Sequence, residues 1–303
     1  MRNARPFVEQ TVRSILSQTC SDWEMIVVDN ASDDGSGDLV EHLARDEPRI
    51  RVLRNDADLG HSGGLNRGLA DCRGRWIARI DADDVALPNR LERQLDFVKQ
   101  YPDVKVTSCL AYYIDAKGNR IGKTHHDLTT RDAFARYMAR NDPIGILHPG
   151  AFIQKRSLLA VGGYREAFGP ANDIDLWCRI AERGGLILVQ PEYLMEYRIH
   201  GGSISATSFL LARLKGQWAR DCMRARRSGN VEPTWETFMA SRRNAPWWRH
   251  LNRWRKTQAK RLYRQSGQNY VGRRRIRALV EMTLATVLEP TYTLPRLQEQ
   301  RLR

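Results

Sequence analysis

The stretch Arg75–Asp84, RWIARIDADD, decides how the rest of the chain reads. Trp76, Ile77, Ala78 and Ile80 make an almost continuous apolar run, the mark of a strand buried on both faces. The run ends abruptly in three carboxylates, Asp81, Asp83 and Asp84. Leu87-Pro88 then leads into an amphipathic helix, to about Gln100, with Leu91, Leu95 and Val98 on its inner stripe. A buried parallel strand that stops at acids places them at the carboxyl edge of an α/β sheet, where such sheets bind ligands. On extended chain Asp81 and Asp83 face the same way and converge on one point. Clustered carboxylates repel unless something positive lies between them. A hard divalent cation that also holds phosphate oxygens is the natural candidate. The competing reading is a solvated acidic turn in which Asp84 caps the helix that follows.

Upstream, apolar residues at helical spacing predict a helix from Pro6 to about Gln18, and Met25–Asp29 predicts a buried strand ending in a carboxylate. A helix around Leu39, Val40 and Leu43, a strand at Ile50–Leu53, and a glycine-rich Gly60–Gly68 leading into a further helix complete the first part. This alternation implies a mostly parallel sheet with helices on both faces. Such a chain should open on a strand, yet this one opens on a helix, with too few residues before Pro6 to make one. The expectation is that the natural product begins upstream, with roughly ten more residues forming one strand and its loop. Downstream, strands are expected at Val104–Ile114, Arg120–Lys123, Ala151–Gln154, Leu186–Val189 and Tyr193–Ile199. Helices are expected at Arg131–Arg140 and Asp173–Arg183, the second stopped by Gly184.

The formal charge of +14 is unevenly spread: residues 201–303 carry 22 Lys+Arg against 6 Asp+Glu, whereas residues 1–200 carry 27 against 29. The basic excess therefore belongs to the last third, read as a separate helical extension. The five cysteines form no C-x-x-C pair and read as reduced, packed thiols. The longest apolar run, Ala278–Leu288, is too short to span a bilayer and contains Glu281. Together with the lack of a visible signal peptide, this gives a cytoplasmic protein, peripheral on the inner face of the cell membrane if membrane-bound at all. The glycines at 60, 63, 64 and 68 make neither a dinucleotide fingerprint nor a P-loop, which disfavours a dehydrogenase or nucleotide-triphosphatase reading.

Four stretches, in order, resemble family-2 glycosyltransferases of the GT-A fold: Ser14–Ser36 (SILSQTCSDWEMIVVDNASDDGS), Gly60–Gln94, Val161–Gly184 (VGGYREAFGPANDIDLWCRIAERG) and Tyr197–Ser205 (YRIHGGSIS). The resemblance implies an α/β GT-A domain over residues 1–205, lacking its first strand, followed by an Arg/Trp-rich helical extension over 206–303. It also implies an inverting transfer of sugar from a nucleotide-diphosphate donor to an acceptor hydroxyl, in cell-envelope polysaccharide or glycolipid synthesis. The alternative is a non-catalytic nucleotide-sugar or glycan binding protein that keeps the fold. By the same resemblance Asp83 and His200 are metal ligands for Mn2+ or Mg2+, Asp81 faces the donor ribose, and Asp29 contacts the donor base, with Asn30 where the family has a second acid. Asn66 and Arg67 are further donor contacts, and Asp173 is the base that takes the acceptor proton. Each has a plainer alternative: Asp29 shaping its turn, His200 as a loop residue, and Asp173 or Asp175 complementing a helix N-terminus. The partners implied are a nucleotide-sugar donor and a glycan or lipid-linked acceptor.

The extension is read from its own residues, as broadly helical with breaks at Gly229, Pro233, Pro246, Gly267, Gly272, Pro290 and Pro295. Trp247–Arg264, WWRHLNRWRKTQAKRLYR, interleaves aromatics with cations and suits an anionic membrane surface. Nucleic acid, which the same composition also attracts, is disfavoured as a partner beside a donor-sugar site.

Overall fold

The computed structural model describes residues 1–201, 208–271 and 275–294. Residues 202–205, the end of the fourth stretch, lie outside them, as do the predicted helix breaks at Gly272 and Pro295. The chain divides into two compact units, Met1–Pro233 and Thr234–Arg303, so the division falls later than the change of composition near residue 205.

In the first unit the apolar periodicities become packed faces. Val8, Val12 and Ile15 bury one stripe of α1 (Val8–Leu16) against Val27, Val40 and Ile50. β1 (Met25–Asn30) pairs in parallel with β2 (Ile50–Asn55), with α2 (Ser36–Ala44) between them in sequence. The glycine-rich segment is itself helical: α3 runs Gly60–Asp71, and a Cβ on Gly68 would lie 3.1 Å from the Val28 side chain. The glycines thus bring the helix close to the strand.

β3 (Trp76–Ala78), β4 (Val85–Ala86), β5 (Val104–Ile114), β6 (Arg120–Lys123), β7 (Phe152–Gln154) and β8 (Leu186–Arg198) form a second sheet, in the order β3-β7-β5-β8-β4, with β6 on β5. The expected α/β architecture is present, but this sheet is mixed where the alternation suggested mostly parallel strands. β5 and β8 pair in parallel, while β3 with β7, β5 with β7, β4 with β8 and β5 with β6 are antiparallel. The β5–β8 register jumps between Cys109 and Leu110, opposite Pro191, which has no N–H to give the ladder. The two expected strands at 186–189 and 193–199 are therefore one bulged strand. β1 and β3 are not hydrogen-bonded to each other. Met1 also pairs with β1: its amino group donates to Val28 O at 2.5 Å and its carbonyl accepts from Asn30 N at 2.8 Å.

α4 (Arg90–Gln100), α5 (Arg131–Arg140), α6 (Lys155–Ala160), α7 (Asn172–Glu182) and α8 (Phe209–Arg227) complete this unit. Trp177, Leu176 and Ile180 of α7 are buried among Val106, Ile153 and Ile187 of the sheet. Gly184 ends α7 at φ +80°, the left-handed position a residue with a Cβ resists. In the second unit α9 (Trp235–Arg243), α10 (Trp247–Val271) and α11 (Arg275–Leu288) are helical, and α10 passes through Gly267, where a break was expected.

Candidate active site

Arg79–Asp84 links β3 to β4, the two outer strands of the mixed sheet. Arg79 N donates to Ala151 O at 2.8 Å and extends the β3–β7 edge, and Asp84 N donates to Asp81 O at 3.2 Å, closing a turn. The turn gathers the three carboxylates so that one oxygen from each lies within 4.8 Å of the others. Asp84 is fully buried, which overturns the reading of it as a helix cap: its Oδ1 accepts from Arg198 N at 2.8 Å, and α4 starts beyond Asn89. Its Oδ2 is buried without a hydrogen-bond partner among the described residues. Burial, then repulsion from Asp81 and Asp83, pushes the Asp84 carboxyl well above its ordinary range. Burial and Asp81 also push Asp83 up. Burial opposes ionisation of Asp81 too, but Arg79, 2.6 Å away, outweighs it with His61 and His148, and the group is held at about 2.

His200 brings its Nε2 to 2.9 Å from Asp83 Oδ2, with its ring against Phe7. The sequence-predicted pair Asp83 and His200 is thus brought together. An orphaned buried carboxylate oxygen, two carboxyls destabilised by like charge, and an adjacent imidazole form a donor set that fits a divalent cation.

Asp173 is the second residue of α7, held in place by its neighbour Asn172, whose buried amide donates to Ser62 Oγ on α3 at 2.9 Å. Burial pushes the Asp173 carboxyl up to about 6, against the restraining hydrogen bonds of the Ile174 N–H and its own N–H. Arg79 and Asp81 both act on it electrostatically, so the two halves of the site share one field. Asp175, two residues on, is fully buried and bound by Arg165 and by Arg179 at 2.8 Å, which occupies it as a structural ion pair.

The donor contacts predicted upstream are differently placed. Asp29, buried at the end of β1, accepts from Ser32 N at 3.2 Å and lies 3.5 Å from Arg54 Nε. Asn30 Oδ1 accepts from Asn55 Nδ2 and Leu59 N, so Asn30 fastens the loop after β2. Asn66 fastens α3 to the loop before α7. Its Nδ2 donates to Tyr164 O at 2.8 Å and its Oδ1 accepts from Tyr164 N at 2.9 Å, which engages both ends of the amide. Arg67 is exposed on α3, and among the described residues no hydrogen bond or ion pair joins it to the carboxylates.

Three groups at the site were not singled out from the sequence. Arg79 is the one cation inside an apolar run, which was a readable signal. His61 is held down to about 4 by burial and then by Arg79. Tyr164 places its hydroxyl 3.0 Å from His148 Nε2, and burial followed by Arg79 keeps that imidazole neutral. Gly163 permits the Asn66–Tyr164 clasp: a Cβ there would meet Asn66 Oδ1 at 2.7 Å.

Comparison with known proteins places this geometry. The chain matches the family model described as glycosyl transferase family 2 over residues 1–162, more than half its length. An uncharacterised glycosyltransferase of Methanocaldococcus jannaschii is 26% identical over 194 residues, covering 64% of this chain and 66% of the relative. The putative teichuronic acid biosynthesis glycosyltransferase TuaG of Bacillus subtilis is 29% identical, covering 70% of this chain and 81% of the relative. Escherichia coli WfgD, a UDP-Glc:alpha-D-GlcNAc-diphosphoundecaprenol beta-1,3-glucosyltransferase, is 28% identical, covering 71% and 80%. Among solved structures, the mannosyltransferase PcManGT of Pyrobaculum calidifontis with GDP-Man and Mn2+ superposes with a TM-score of 0.57 at 20% identity, covering 77% of this chain and 64% of that one. S. aureus TarS 1–349 with UDP-GlcNAc gives 0.58 at 13%, covering 86% and 78%. The chain thus spans a little under two thirds of the archaeal relative and of the mannosyltransferase. The fold is GT-A, and the chain belongs to glycosyl transferase family 2.

Proposed function

We propose that the protein transfers a sugar, with inversion, from a nucleoside-diphosphate donor to an acceptor hydroxyl in cell-envelope polysaccharide or glycolipid synthesis. The observation that carries this reading is the pairing of Asp173, pushed up to about 6, with the Asp81–Asp83–Asp84 turn, both under the field of Arg79. The Asp173 carboxylate takes the proton of the acceptor hydroxyl as the hydroxyl oxygen bonds to the anomeric carbon. The bond from that carbon to the diphosphate oxygen breaks, and the electron pair leaves with the nucleoside diphosphate. Asp83, Asp84 and His200 are the proposed metal ligands, with Asp81 beside them toward the ribose. A divalent cation bound there supplies positive charge for the departing diphosphate. The imidazole favours Mn2+ over an all-oxygen ion. Asp29, Asn66 and Arg67 are the remaining proposed donor contacts.

The acceptor reading is supported by the relatives: TuaG is named for teichuronic acid biosynthesis and WfgD for a diphosphoundecaprenol-linked acceptor. The bases and sugars of the bound donors differ between PcManGT and TarS, so the donor is left at its class. A screen of nucleotide sugars with Mn2+, read by released nucleoside diphosphate, tests the reading. Asp83→Asn should abolish release and weaken metal-dependent nucleotide binding, with an unchanged melting temperature. Donor binding without any release across lipid-linked and glycan acceptors would instead establish a binding protein.

A further inference from the structure

The second unit contains a helix turned inside out. α11 (Arg275–Leu288) buries Ala278, Glu281 and Ala285, and leaves Ile276, Leu279, Val280, Leu284 and Val287 exposed. The exposed set recurs at i, i+3, i+4, i+8 and i+11, one continuous stripe opposite the buried small residues. The small residues let α11 lie close to α10: Ser266 Oγ donates to Ala278 O at 2.8 Å, and Ala259 is fully buried. The stripe is far from casual exposure, with Ile276 83% and Val287 75% accessible. On α10, Trp247, Leu251 and Trp254, at i, i+4 and i+7, form a second exposed apolar row. Arg249 lies over the Trp248 ring, its guanidinium 5.0 Å from the centroid.

These apolar rows sit in the most basic part of the chain. Residues 234–303 carry 16 Lys+Arg against four Asp+Glu. We propose that the α10–α11 pair is an interfacial anchor for an anionic lipid surface, with the α11 stripe entering the headgroup–acyl boundary and the cations of the pair drawn to lipid phosphates. Charge selects this occupant. A second copy of the same unit would bring like charge to like charge. Nucleic acid would satisfy the cations but has no use for an aliphatic stripe. Among the described residues no helix is long and apolar enough to cross a membrane, so the helices lie on the surface. The proposal rests on the second unit alone and stands or falls independently of the transfer reaction.

The test is co-sedimentation of the full chain with phosphatidylcholine vesicles, with and without phosphatidylglycerol, at low and high salt. Wild-type protein should favour the anionic vesicles by at least about tenfold, less so at high salt. Two triple variants separate the parts: Leu279→Ser/Val280→Ser/Val287→Ser removes the stripe, and Arg249→Glu/Lys256→Glu/Arg261→Glu reverses exposed charge. Each should cut vesicle binding by about tenfold or more while circular dichroism and melting stay as in wild type. Equal binding to neutral and anionic vesicles, or a stripe variant that binds like wild type, would overturn the proposal. A wild-type dimer that the stripe variant dissociates, or duplex DNA binding without vesicle binding, would overturn it too.

Discussion

Asp173 and Asp175 differ by one intervening residue and by everything in their surroundings. Both lie in the first turn of α7, where a carboxylate complements the helix dipole. Asp175 is fully buried between two guanidiniums, whereas Asp173 is half-buried and raised toward neutrality by burial. Proton abstraction requires the ionised form. kcat/KM should therefore rise with pH through about 6 and level off above it. Asp173→Asn should remove that limb, lower transfer by about 10²–10⁴ and leave donor affinity intact. A pH profile of the variant that keeps the same limb would assign the titration elsewhere. Asp175→Asn should act on folding: it takes the carboxylate from Arg179, which keeps only backbone carbonyls among the described residues, while Arg165 retains Glu232, at a cost of up to about 3–5 kcal/mol in chemical denaturation. Both acids were legible as helix residues from the sequence, and the resemblance singled out Asp173 as the expected base. The ion pairs that distinguish them come from Arg165, ten residues upstream, and Arg179, one helical turn on, and neither spacing announces a contact.

At the scale of elements, what could be read was what repeats. Helical stripes such as Val8, Val12 and Ile15, and runs such as Val104–Ile114, carry their own period, and each became the element expected. Pairing partners carry no such mark. Trp76–Ala78 reads equally well as a parallel or an antiparallel strand, and only β7, some seventy residues downstream, decides it. The same limit explains Asn66, whose partner Tyr164 is 98 residues away, and Asp84, whose partner Arg198 is 114 residues away. Glycines misled in a different way. α3 holds four of them between Gly60 and Gly68 and is a helix nonetheless, because its closeness to β1 offsets their poor helix propensity.

At the scale of the whole chain, composition and compactness divide it at different places. Charge changes near residue 205, but α8 belongs to the first unit. Trp218 of α8 stacks on Phe168 with centroids 4.1 Å apart and donates its indole N–H to Pro233 O at 2.7 Å. Arg226 of α8 binds Glu182 of α7 at 2.6 Å and Glu232 at 2.8 Å, and Arg165 reaches the same Glu232. The segment up to Pro233 is therefore fastened to α7, the helix that carries Asp173. We expect a chain cut after Pro233 to melt cooperatively and one cut after Ser205 to aggregate or melt broadly, as followed by circular dichroism and sedimentation. If the shorter piece melted as sharply as the longer, α8 would be dispensable to the first unit.

Asp84 faces two ways. One of its oxygens holds the Arg198 amide near the end of β8, and the other has no hydrogen-bond partner among the described residues. β8 runs thirteen residues from Leu186 to Arg198, alongside the core strand β5 for its whole length, and His200 follows just past its end. A single carboxylate therefore belongs both to the acidic turn and to the end of β8, so a change at Asp84 reaches the two together.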